Sequence, residues 1–201
     1  KDSSNLPGRL GNPEMSLKND PRAIPAVTKV MSEYGLDALA PDPPISIEAT
    51  QNEKDDYMTS LEPLYEDIFK SWYSELPEVE GLERFTKVID GVDGNQIKLY
   101  VHKPEGLESK VPGILHIHGG GMSILKARNP NYVRWRDDLA STGLVVVGVE
   151  FRNVAGELGS YPFPAGLNDC SSALQWMFDN KEELDVSKII VSGESGGGNP
   201  T

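Results

Sequence analysis

The eleven residues KIIVSGESGGG, 188 to 198, leave this chain few architectures to choose from. An apolar run that breaks into G-x-S-x-G reads as a buried strand ending in a tight strand-to-helix turn. A serine on such a turn is held in strained backbone, and only small neighbours leave room for it. Its hydroxyl then stands above the sheet, at the C-terminal ends of the strands, where a substrate can reach it. The pattern Gly193-Glu194-Ser195-Gly196-Gly197 is weak alone, because glycine and serine are common turn residues. The apolar strand ahead of it makes it specific. Ser195 is the candidate nucleophile.

The rest of the chain supplies the layers that such a turn needs. FTKVIDGVDGNQIKLYVHKP (85 to 104) reads as two strands joined at Asp93-Gly94-Asn95 and closed by Pro104. VPGILHIH (111 to 118), a helix near 132 to 142, LVVVGVEF (144 to 151), a helix near 165 to 180 and the strand 188 to 193 follow. The later strands are near-continuous apolar runs, the signature of a parallel sheet covered on both faces. A hairpin followed by alternating strands and helices is an α/β architecture. Ahead of it, residues 1 to about 58 are rich in Pro, Asp and Asn, with a short helix near 24 to 35. A second helix places Leu61, Leu64, Tyr65, Ile68, Phe69, Trp72 and Tyr73 at helical spacing. Thr59 and Glu62 form a candidate capping box at its start, next to Pro63. Its wide aromatic stripe suits either a packing face or a lid over a pocket.

A second glycine motif follows the third strand, as Ser195 follows the fifth. Attack on an ester carbonyl puts negative charge on its oxygen, and backbone N–H groups stabilise that charge when no side chain blocks them. His118-Gly119-Gly120-Gly121 bares such a backbone. Gly119 and Gly120 are candidate oxyanion donors, with Gly196 after the nucleophile as the third. A phosphate cradle is the competing use of a glycine loop. The lysine of a P-loop and the G-x-G-x-x-G spacing of a dinucleotide site are both missing here.

HIHGGGM, YPFPAGLNDC and GESGGGN resemble the hormone-sensitive-lipase-like family of α/β-hydrolase carboxylesterases, and LPGRLGNPEMSLKNDPR, GVDGNQI and FRN extend the similarity over nearly the whole chain. The resemblance implies the N-terminal part of an α/β-hydrolase fold: a mostly parallel sheet, incomplete in this chain, under an N-terminal helical cap. Residues 1–80 would be the cap segment and 81–201 the first half of the core. It also implies hydrolysis through an acyl-enzyme, no cofactor and no metal, a loop-shaping role for His118, and an Arg152–Asp169 pair bracing the core. Two positions depart from the family pattern. Gly196 stands where alanine is frequent, and still offers its N–H. Pro200 stands where leucine is usual in the helix after the turn, and a proline inside a helix costs roughly 3 kcal/mol.

A serine hydroxyl needs a general base at neutral pH. In α/β-hydrolases the order is Ser, then Asp or Glu, then His, whereas His102, His116 and His118 all precede Ser195. The triad's Asp and His are therefore expected beyond residue 201, in a missing C-terminal half, and the 201-residue chain alone is expected to be nearly inactive. Its last strand would leave an apolar sheet edge, which invites self-association or a homodimer. Two alternatives stay open: a non-catalytic small-molecule-binding protein on the same fold, and a fragment completed by a second chain.

Composition bounds the partners. With 31 acidic residues and a net charge of −12, neither nucleic acid nor an anionic membrane is a suitable partner. The family resemblance implies a small-molecule ester or lactone as substrate. LVVVGV, the longest apolar run, is too short to span a bilayer, and KDSSNLPGRLG has no signal-peptide h-region. Cys170 is the single cysteine, so no internal disulfide forms and a cytoplasmic location is expected.

Overall fold

The computed structural model describes residues 8–38 and 41–201. The chain divides into two compact units between Ile47 and Glu48. The first holds two short 3-10 turns, Gly8–Leu10 and Leu17–Asn19, and helix α1, Pro25–Glu33. Pro25 opens α1 at the position where a missing N–H costs nothing.

The second unit begins with α2, Gln51–Tyr73, and continues β1 (Leu82–Asp90), β2 (Gln96–Pro104), β3 (Val111–Ile117), α3 (Pro130–Ser141), β4 (Val145–Glu150), α4 (Ala165–Asp179) and β5 (Val186–Gly193). A 3-10 turn, Ser195–Gly198, follows β5. The start of α2 corrects the sequence reading. Thr50 rather than Thr59 is its N-cap, in a capping box with Glu53, and Pro63 lies inside the helix. Proline removes one backbone donor, and a helix this long keeps its path on the remaining bonds and on packing. Thr59 and Glu62 are thereby freed for other partners. Met58, Leu61 and Phe69 pack on Ile124, Leu125, Tyr132 and Ala155.

Among the described residues the sheet has the order β1-β2-β4-β3-β5. It is an open, mixed sheet: β1/β2 and β2/β4 run antiparallel, while β3 runs parallel to both β4 and β5. The apolar runs behave as their composition demands. Val145, Val147 and Val149 of β4 join Leu99, Leu115, Ile117 and Phe151 in a core closed by Ala173 and Met177 of α4. Val146 and Ile114 face the other way, onto Ala140 of α3 and Leu82. Each such side chain contributes about 1.5–3 kcal/mol on burial. Among the described residues β5 lies at the sheet edge, with Ile190 48% exposed. No described helix is long and apolar enough to cross a membrane.

The register between β3 and β5 decides where their loops emerge. His116 of β3 lies opposite Ser192 of β5, and Ile117 opposite Gly193. Two parallel neighbours ending in step deliver their loops to the same place.

Candidate active site

The loop after β5 is a strained elbow. Ser195 has φ of 47°, a left-handed conformation that costs a non-glycine residue roughly 1–2 kcal/mol. Glu194 before it is extended, and its carbonyl accepts the Gly197 N–H at 2.7 Å. The turn closes against the glycine loop that follows β3. A Cβ on Gly196 would lie 2.5 Å from the Gly121 nitrogen, so only glycine permits this approach of backbone to backbone. The position of a Cβ on Gly119 is 3.3 Å from Ser195 Cβ. The two glycine motifs therefore meet across the nucleophile.

The glycine loop is itself tightly coiled. Gly120 has φ of 108°, and a Cβ there would lie 2.1 Å from the Ile124 carbonyl oxygen. Its own carbonyl accepts the N–H groups of Ser123 at 3.0 Å and Ile124 at 3.2 Å. Of the three amides expected to face an oxyanion, that of Gly119 is drawn toward the Glu194 carboxylate and the Tyr132 hydroxyl. It opposes the upward push that burial exerts on both groups' pKa.

His118 is fully buried beneath this loop. Its Nδ1 lies 2.7 Å from the Gly119 carbonyl oxygen. A carbonyl only accepts, so Nδ1 carries the proton, and Nε2 faces Glu150 Oε1 at 3.9 Å. The ring stacks on Phe151 at 4.3 Å. Burial lowers its pKa to about 4, which keeps the imidazole neutral. Burial likewise raises that of Glu150, whose oxygens accept the Ala127 N–H at 2.7 Å and the Tyr100 hydroxyl at 3.1 Å.

The other two histidines are buried in the interior. His102 donates from Nδ1 to Asp137 at 2.7 Å and accepts from Arg136 Nε at 3.1 Å. Asp137 also accepts from Arg84 at 2.8 Å. Burial lowers the pKa of His102 to about 4 and of His116 to about 3. Arg152 and Asp169 form the expected brace: Asp169 accepts the Arg152 backbone N–H at 2.9 Å and its guanidinium at 2.8 and 2.9 Å. Those bonds raise the Arg152 pKa.

Two residues matter that sequence reasoning assigned to a helix cap. Glu62 accepts the N–H groups of Leu125 and Glu157, each at 2.7 Å, and Thr59 accepts that of Gly156 at 2.9 Å. The only signal of this in the sequence is a carboxylate interrupting the apolar stripe between Leu61 and Tyr65. Beside the elbow lies a largely apolar hollow of about 150 Å³, reaching from Met122 past Phe151, Val154 and Phe163 to Asn199 and Pro200. Among the described residues no cluster of three His, Cys, Asp or Glu could hold a metal ion.

Comparison with known proteins places the fold among esterases. The BD-FAE family model matches residues 99–200. Tuliposide A-converting enzyme 2 of Tulipa gesneriana, a chloroplastic protein, is 33% identical over 126 residues, covering 57% of this chain and 32% of that protein. Carboxylesterase NlhH of Mycobacterium tuberculosis is 35% identical over 128 residues, covering 62% of this chain and 37% of that one. Among solved structures, brefeldin A esterase, described as a bacterial homologue of human hormone-sensitive lipase, is similar at TM-score 0.84 and 40% identity. That match covers 96% of this chain and 54% of the esterase. Esterase Est22 is similar at TM-score 0.75 and 30% identity, over 92% of this chain and 55% of its own. The matched stretch spans about a third of the curated relatives and about half of these structures.

Proposed function

Because the chain belongs to the BD-FAE family, among the hormone-sensitive-lipase-like α/β-hydrolase esterases, we propose that the intact protein hydrolyses carboxylic esters with Ser195 as nucleophile. One observation carries the reading: Ser195 sits in left-handed backbone at the end of β5 with the glycine loop packed across it.

In this mechanism Ser195 Oγ attacks the ester carbonyl, its proton passes to a general base, and the carbonyl oxygen takes the negative charge. The amides of Gly120 and Gly196 stabilise that oxygen, with Gly119 shared between it and Glu194. Loss of one such donor costs about 3–4 kcal/mol of transition-state stabilisation. Collapse expels the alcohol and leaves an acyl-enzyme, which water hydrolyses by the same route in reverse. None of the three histidines is placed to be the base, since His102 and His118 are bonded elsewhere and all three are buried. The base and its carboxylate partner are assigned to residues outside 1–201, and the 201-residue chain alone is expected to turn over little ester.

The apolar hollow favours a small, uncharged acyl or alcohol group, and the net charge of −12 disfavours polyanionic substrates. A cytoplasmic location is proposed on the lone Cys170. Turnover of p-nitrophenyl acetate by the intact protein and by Ser195→Ala tests the reading. A fall on the order of 10⁴–10⁶ is expected; undiminished turnover by the alanine variant would remove Ser195 as nucleophile.

A further inference from the structure

We infer that Glu62, on α2, is a positioning residue for the oxyanion loop: its carboxylate fixes the coil that carries Gly120 and Gly121, and so sets the rate of ester hydrolysis. The inference rests on the proposed esterase activity and adds a residue outside both glycine motifs.

Glu62 is 4% exposed, and its two carboxylate oxygens each accept one backbone N–H from a different loop. One is Leu125, in the loop that continues the glycine motif. The other is Glu157, in the loop after β4. A turn earlier on the same helix, Thr59 accepts the N–H of Gly156. A Cβ on Gly156 would stand 3.1 Å from both Glu62 oxygens, so this loop lies directly on the carboxylate.

Leu125 is a demanding place to anchor. It has φ of 75°, which a leucine adopts only under external restraint. That restraint comes from both sides: Glu62 holds its N–H, and Asn153 Nδ2 donates to its carbonyl at 2.8 Å. Val154 and Ala155 add N–H bonds to the carbonyls of Met122 and Ser123, at 3.0 and 2.9 Å. Because Gly120 bonds to Ser123 and Ile124, the segment from Gly120 to Leu125 moves as one coil. Shifting Leu125 shifts the glycine amides.

Glu62→Gln keeps shape and size but has one acceptor oxygen, so its NH₂ group must face one of the two N–H donors. In the intact protein with p-nitrophenyl acetate, kcat is expected to fall about tenfold or more with KM within about twofold, because the lost interaction matters only in the transition state. Affinity for phenylboronic acid, whose tetrahedral adduct on Ser195 mimics the oxyanion, is expected to fall in the same proportion as kcat/KM. A purely structural role would lower the thermal midpoint and leave both unchanged.

A folded Glu62→Gln variant with kcat and boronate affinity within about twofold of wild type would overturn the inference. Should that variant fail to fold, Thr59→Ala decides. It removes one neighbouring bond and is expected to lower kcat and boronate affinity together by about two- to threefold; no change overturns the inference. Ser195→Ala assayed alongside separates the two claims, since full activity there removes Ser195 as the nucleophile, whatever Glu62 does.

Discussion

His102, His116 and His118 share one condition: burial holds each neutral far below its ordinary range, at about 4, 3 and 4. The unfolded chain protonates all three near pH 6.5, while the folded chain resists down to about pH 4. The stability gained from their neutrality is therefore complete above pH 6.5 and is lost as pH falls toward 4. At pH 5 the loss is roughly 2 kcal/mol for each histidine. Unfolding at pH 5.5 is expected to take up about two to three protons, measured calorimetrically in buffers of different ionisation enthalpy. Uptake near zero would mean that these rings are not buried as neutral groups. Part of this was legible in the sequence, because His116 falls inside an apolar strand and His118 opens the glycine loop. The bonds of Glu62 were not, since its partners lie 63 and 95 residues away and no local pattern announces a carboxylate that binds distant backbone.

At the scale of elements, α2 shows how a local rule is overruled. The pattern Thr-x-x-Glu occurs twice, at Thr50–Glu53 and at Thr59–Glu62. The second, next to Pro63, is the candidate start in the sequence, yet the helix takes the first. Thr50 Oγ1 accepts the Glu53 N–H at 3.3 Å, and Glu53 returns a bond to the Thr50 N–H at 2.8 Å. Thr50→Ala is expected to destabilise the protein by about 1 kcal/mol in urea titration. An unchanged midpoint would show that packing alone starts this helix, whereas Thr59→Ala leaves the cap intact and should act on catalysis instead. The strands were more legible than the helix start, because β3 and β4 are apolar runs with no competing reading.

Across the whole molecule, the site is a product of strand order, which no single segment encodes. The glycine loop at 118–121 and the serine at 195 are brought together because β3 and β5 are parallel neighbours in register. The sequence identified both motifs and the strands they follow, while their adjacency needed the order β4-β3-β5. On the proposed reading, this junction presents Ser195 as the nucleophile of the intact protein. Treating the intact protein with a fluorophosphonate and mapping the adduct by peptide mass spectrometry tests it most directly. One adduct is expected, on Ser195, accumulating in step with the loss of esterase activity. Inactivation with the adduct on another residue, or full activity after Ser195 is completely labelled, would contradict that reading.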